Sequence, residues 1–221
     1  MHSSEKRLNI VNNKINDIIN KKQLKTIPKI IAVTKTHSKD TFLPLLDLGH
    51  IHFGENKIQE AESKWPELKE KYKNIQLHML GKLQSNKAKK AIKLFDYIHS
   101  LDNIKLASKL SQFQKELNKK VKIFIQVNLA NEPQKSGIPL NELEKFYNYC
   151  IEELSLNIVG LMCLPPIESG SENYFLSLKK AGEKFNLLEF SMGMSSDYED
   201  AILNGSTFVR IGTDLFGQRN I

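Results

Sequence analysis

Only two cysteines, Cys150 and Cys163, occur in the 221 residues. They form no CxxC pair and have no His/Cys cluster beside them, so neither a disulfide framework nor a structural zinc site is expected. Reduced thiols in a cytoplasmic protein are the expectation. No apolar run approaches the roughly 20 residues that cross a bilayer. The opening Met1-His-Ser-Ser-Glu-Lys-Arg7 lacks the apolar segment of a secretory signal. No G-x-G-x-x-G or Walker-type loop occurs, which removes the usual glycine fingerprints of nucleotide sites. No low-complexity linker divides the chain. The net charge is +7, but the lysines are scattered. The densest cluster, Lys82 to Lys93, has no interleaved aromatics and reads as the solvated face of a helix, so nucleic acid is not an expected partner.

What is present is one grammar repeated along the chain. Leu8, Val11, Ile15, Ile18 and Ile19 recur at helical spacing and predict an amphipathic leading helix over 5–20. Lys29 to Thr34 is a short β-branched run after Pro28, the pattern of a buried strand. Ser38 then caps a helix that Gly49 stops. Further strands are expected near 51–54, 76–80, 96–99, 121–127, 156–162, 187–190 and 207–210. Helices are expected near 56–72, 84–94, 103–118, 139–153, 171–184 and 196–203, with a short one after Gly212. Several strands are nearly continuous apolar runs, as parallel strands covered by helices are. Eight such units with short connections fit a closed (β/α)8 TIM barrel, an α/β fold, better than a doubly wound sheet. Residues 1–221 are expected to be one such domain with an extra N-terminal helix.

In these barrels the working residues lie at the C-terminal ends of the strands. The first strand exits at Lys35, which shares a face with Ile31 and Val33 by period-two alternation. Apolar neighbours disfavour an ammonium, and a Schiff-base lysine must react unprotonated. On the residues alone, with 32 lysines and arginines in the chain, a surface lysine at a strand end is the better explanation of Lys35. The seventh strand exits into Ser191-Met-Gly-Met-Ser195, where Gly193 permits close backbone approach and Ser195 or Ser196 stands at a helix N-cap. The eighth exits into Arg210-Ile-Gly-Thr213. Loops in these two places recurrently bind phosphate, although ordinary capping gives the same pattern. Arg210 has no acceptor atom, so opposite a ring nitrogen it can only donate; a structural ion pair is the competing explanation. Asn56 either meets a ring substituent or caps the next helix. His78 within the third strand reads as a buried, satisfied histidine. His50 and His52 share a face but lack a third metal ligand. Met162 packs on a ring or is plain core.

Together these residues resemble the pyridoxal phosphate homeostasis proteins, single-domain binders of pyridoxal 5′-phosphate (PLP) similar to the N-terminal barrel of alanine racemase. The resemblance runs from about Ile30 to Arg219. It rests on Ala32-Val-Thr-Lys35, Phe53-Gly-Glu-Asn-Lys-Ile-Gln-Glu60, Leu77-His-Met-Leu-Gly-Lys-Leu-Gln-Ser-Asn-Lys87, Lys135-Ser-Gly137, Gly160-Leu-Met162, Ser191 to Asp197, Gly205 to Thr213, and Phe216-Gly217. Lys82 departs from it, standing where a proline is usual. The resemblance implies that Lys35 forms the internal aldimine and that Ser195, Gly212 and Thr213 hold the phosphate. It also implies that Arg210 faces the pyridine nitrogen and that Asn56, His78, Met162 and Met192 line the pocket.

It further implies a carrier that holds PLP and supplies it to apo-enzymes without significant catalysis. The alternative on the same barrel is a PLP-dependent racemase or aldolase. Two-base racemisation needs an opposing acid, which the related racemases take from a second β-domain. The residues up to Ile221 are expected not to include that domain, which favours the carrier and, without racemase-type dimer contacts, a monomer. A cofactor-free Schiff-base aldolase using Lys35 is a third possibility.

Overall fold

The computed structural model describes residues 2–166 and 170–218; Arg219, where the family resemblance ends, lies outside them. In chain order the strands are β1 (Lys29–Val33), β2 (His52–Glu55), β3 (Gln76–Met79), β4 (Tyr97–Leu101), β5 (Lys122–Asn128), the two-residue β6 (Ile138–Pro139), β7 (Ile158–Cys163), β8 (Glu189–Met194) and β9 (Phe208–Ile211). Eight of them pair in the order β4-β3-β2-β1-β9-β8-β7-β5, and a β4–β5 pairing closes the ring. Every pairing is parallel. β6 adds to β5 outside the ring. The expected α/β barrel is therefore the fold observed.

Helices alternate with the strands: α1 (Ser3–Lys22), α2 (Lys39–Asp47), α3 (Ile58–Lys71), α4 (Ala88–Leu94), α5 (Ile104–Leu117), α6 (Leu143–Asn148), α7 (Glu172–Glu183), α8 (Tyr198–Leu203) and α9 (Thr213–Phe216). Two expected helices are composite. A 3₁₀ turn at Ser85–Lys87 precedes α4, and α6 is flanked by a 3₁₀ turn at Leu140–Glu142 and a π turn at Tyr149–Glu153. The chain's first helix is held at its start by reciprocal bonds. His2 N donates to Glu5 Oε2 at 2.8 Å, and Ser4 N donates to His2 Nδ1 at 3.3 Å, satisfying amides that a helix start leaves unpaired. Its Leu8, Val11, Ile15 and Ile19 are buried, and α1 packs on α2, α8 and α9.

Period-two alternation divides the core into two layers. Ile30 and Ala32 of β1 join the large cluster between sheet and helices. Ile31 and Val33 join Leu80, Tyr97, Phe124, Met162 and Phe208 in a second cluster, which by the same alternation fills the barrel. That interior also carries imidazoles. His52 Nδ1 meets His78 Nε2 at 3.0 Å, and His78 Nδ1 meets His99 Nε2 at 2.9 Å. His78 stacks on Tyr97 and His99 on Phe124, each with ring centroids 4.3 Å apart.

Burial is the main reason that all these histidines hold protons weakly. It lowers the pKa of His78 and His99 well below 6.5. His50, and His52 with a further contribution from nearby positive charge, are lowered to about 4. The folded state thus binds fewer protons than the unfolded chain below pH 6.5. Stability should fall as pH drops through that window, at up to about 1.4 kcal/mol per pH unit per histidine. Glu55, whose pKa burial raises, acts in the opposite sense as one group against four. Urea unfolding at pH 7, 6 and 5 checks this, and a flat stability over that range would contradict it.

Candidate cofactor site

The C-terminal mouth of the barrel holds a cavity of about 570 Å³, lined by Lys35, Asn56, Met162, Ser195, Arg210, Gly212 and Thr213 among others. This size suits a small organic ligand. Seven of the nine residues singled out from sequence are thus brought together. The strand pairing explains why. β9 lies between β1 and β8, with Ile31 opposite Arg210 and Met194 opposite Arg210. Residues just beyond these partners must share one rim, and they include Lys35, Ser195, Gly212 and Thr213.

Each wall has a local cause. Lys35 follows β1 directly and is half-buried, with Val33 beside it in the cavity wall. Asn56 follows β2 and is pressed against the loop after β3. A Cβ at Gly81 would come within 2.3 Å of the Asn56 carbonyl oxygen, so only glycine lets these loops meet. On β8 the register shifts between Ser191 and Met194. Gly193 sits in this bulge with φ of +91°, and a Cβ there would lie 2.6 Å from Ala201 Cβ. Its close approach is therefore to α8, and the bulge re-aims the strand end toward the rim.

The expected serine N-cap is not what starts α8. Asp197 holds that position, and its Oδ1 accepts from Met194 N at 2.7 Å. Ser195 instead joins the two last loops, its Oγ accepting from Asp214 N at 3.4 Å. Gly212 precedes α9, whose first residue is Thr213.

Arg210 is 5% exposed. Its Nη1 donates to Ser191 Oγ at 2.7 Å and its Nη2 to the Cys163 carbonyl at 2.9 Å. No carboxylate forms a salt bridge with it among the described residues, so the ion-pair explanation fails. Burial lowers its pKa, yet a guanidinium stays protonated and carries five N–H donors. A buried cation held by neutral partners on a cavity wall favours an acceptor or an anion there.

His78 and Met192 are not in the cavity wall. His78 is fully buried, with both ring nitrogens engaged by His52 and His99, as the residue-level reading expected and as the family resemblance did not. Met192 shares the outward face of β8 with Phe190 and packs in the layer under the helices. Five lining residues escaped the sequence reading: His37, Leu80, Leu164, Met194 and Asp214. His37 stands two residues beyond Lys35 and packs on Phe216, ring centroids 4.9 Å apart; its position after a strand exit was the available signal. Among the described residues no group of three or more His, Cys, Asp or Glu could hold a metal ion. None of their helices is long and apolar enough to cross a membrane.

The donor set suits a phosphorylated ring bearing a carbonyl. It has one primary amine, three hydroxyls on adjacent loops, a side-chain amide, and an arginine that can only donate. The comparisons agree with this chemistry. A family profile described as the alanine racemase N-terminal domain matches residues 13–220. The pyridoxal phosphate homeostasis protein of Synechocystis is 38% identical over 200 residues, 86% of this chain and 91% of that protein. PipY of Synechococcus elongatus, solved with PLP bound, superposes with a TM-score of 0.85 at 33% identity, covering 98% of this chain and all of that one. A Clostridium difficile alanine racemase, 16% identical with a TM-score of 0.70, shares the fold. The match covers 93% of this chain and 56% of the racemase.

Proposed function

The chain belongs to the pyridoxal phosphate homeostasis family, and from that premise we propose that it binds PLP on Lys35 and supplies it to apo-enzymes within the cell. One observation carries the reading. A half-buried lysine shares a cavity with the loops after the last two barrel strands and with a buried arginine whose hydrogen-bond partners among the described residues are neutral. PLP supplies an aldehyde that condenses with a primary amine, releasing water and forming an aldimine. Lys35 is the amine. Ser195, Thr213 and backbone N–H groups near Gly212 hold the phosphate, Arg210 donates to the pyridine nitrogen, and Asn56 and Met162 border the ring. Release follows when another amine displaces Lys35 at the same carbon. Residues 1–221 are read as one domain, since a single buried cluster runs from Leu8 to Leu215. Monomeric behaviour belongs to the same reading.

Bonds to a charged phosphate contribute on the order of 1.5–3 kcal/mol each. Pyridoxal without phosphate should therefore bind at least about tenfold more weakly than PLP. Ser195→Ala should weaken PLP while leaving pyridoxal unchanged. Equilibrium dialysis of both ligands is the check, and equal affinity for the two would remove the phosphate role of these loops.

A second reading, slow amino-acid racemisation, is favoured by one feature. His37 and Asp214 line the same cavity as Lys35, so further proton-exchanging groups are at hand. The carrier reading is preferred because the relatives matched along most of their length bear the homeostasis name. α-Proton exchange of several amino acids in deuterated buffer, at saturating PLP, separates the two. Turnover well below about one per second, the low end for ordinary enzymes, is expected; faster turnover would favour the racemase.

A further inference from the structure

We propose that Glu55, Glu60 and Lys64 form a clamp that positions Lys35 by gripping the residues on both sides of it. The proposal rests on the reading that Lys35 bears the cofactor. Thr34, before it, is held twice: Lys64 Nζ donates to the Thr34 carbonyl at 2.9 Å, and Thr34 Oγ1 donates to Glu55 Oε1 at 2.7 Å. Thr36, after it, donates its N–H to Glu60 Oε1 at 2.5 Å. Lys64 joins the two carboxylates, at 3.3 Å from Glu55 and 2.5 Å from Glu60. Trp65 Nε1 completes the set by donating to Glu55 Oε1 at 3.1 Å.

The clamp therefore comes from the end of β2 and one face of α3. There Glu60 and Lys64 are an i,i+4 pair with Trp65 beside them. Two features make it more than surface pairing. Glu55 is fully buried and Lys64 is 9% exposed, and apolar residues of similar size are often at least as stabilising as a buried ion pair. What apolar residues would not supply is a fixed path for residues 34–36. Thr36 adopts φ of +66°, a left-handed conformation that a β-branched residue rarely takes unless its surroundings hold it there. The grip on its N–H does so, and the turn then directs the chain of Lys35 from a defined point on the rim.

Glu60 is the accessible handle, being only half-buried. Glu60→Ala removes the acceptor for Thr36 N–H, whereas Glu60→Gln keeps one. PLP affinity is measured by equilibrium dialysis for the wild type, Glu60→Ala, Glu60→Gln, Lys35→Ala and Lys35→Ala/Glu60→Ala, with thermal midpoints alongside. Glu60→Ala should lose about tenfold in affinity, the worth of one hydrogen bond to a charged group, and Glu60→Gln should stay within about twofold of wild type. In the Lys35→Ala background, removing Glu60 should change nothing, because the clamp acts only through Lys35. An equal loss in both backgrounds, or no loss in either, would overturn the clamp. If Lys35→Ala alone left PLP affinity unchanged, the assignment of Lys35 itself would fall instead. Should Glu60→Ala not fold, Glu60→Leu, which keeps the packing volume but likewise removes the acceptor for Thr36 N–H, is put through the same cycle and read in the same way.

Discussion

The pairing of β9 with β1 on one side and β8 on the other is the constraint on which the site depends. Closure of the ring makes the last strand a neighbour of the first. Parallel pairing then puts the three C-terminal ends at one mouth. Arg210 is the common register point, opposite Ile31 on one side and Met194 on the other. Residues that are far apart in sequence, Lys35 and Thr213, reach one cavity because of that pairing. α1, added ahead of the first strand, packs on α8 and α9 and so backs the two helices that follow the loops on the far wall.

Beneath the mouth the barrel interior is unusual in carrying polar groups among its apolar ones. Their arrangement follows from the cost of burying an unpaired polar atom. His52, His78 and His99 answer one another, and Arg210 draws on a hydroxyl and a carbonyl. Among the described residues one buried ring nitrogen of this set, His99 Nδ1, has no hydrogen-bond partner. The stacked pairs His78–Tyr97 and His99–Phe124 fix the imidazoles from the side. Stacking and mutual hydrogen bonding hold these imidazoles in one arrangement beneath the cavity proposed to take PLP.

Much of this was legible in the sequence because strand exits are local features. Lys29 to Val33 reads as a strand from its own side chains, and Lys35 follows it by counting. The loops at 191–197 and 210–213 announce themselves by glycine and hydroxyl. Met192 was misplaced despite a clear rule: alternation puts it with Phe190 on the outer face, while Ser191 turns inward to Arg210. His78 does point into the barrel, but its place between two other imidazoles depends on β2 and β4 and could not be counted along β3. The start of α8 was misread because Ser195, Ser196 and Asp197 are all good caps. Only the Met194 N–H, bonded to Asp197, selects among them. The grip of β2 and α3 on residues 34–36 was beyond reach for the same reason, since it joins Thr34 to side chains 21 and 30 positions away.

The central claim is that one particular lysine of this lysine-rich chain carries the cofactor. Borohydride reduction of the protein with PLP, followed by peptide mass mapping of the modified residue, tests it most directly. The account predicts a single dominant adduct at Lys35, absent from Lys35→Ala. A full-strength adduct on any other lysine, or one that survives in Lys35→Ala, would contradict it.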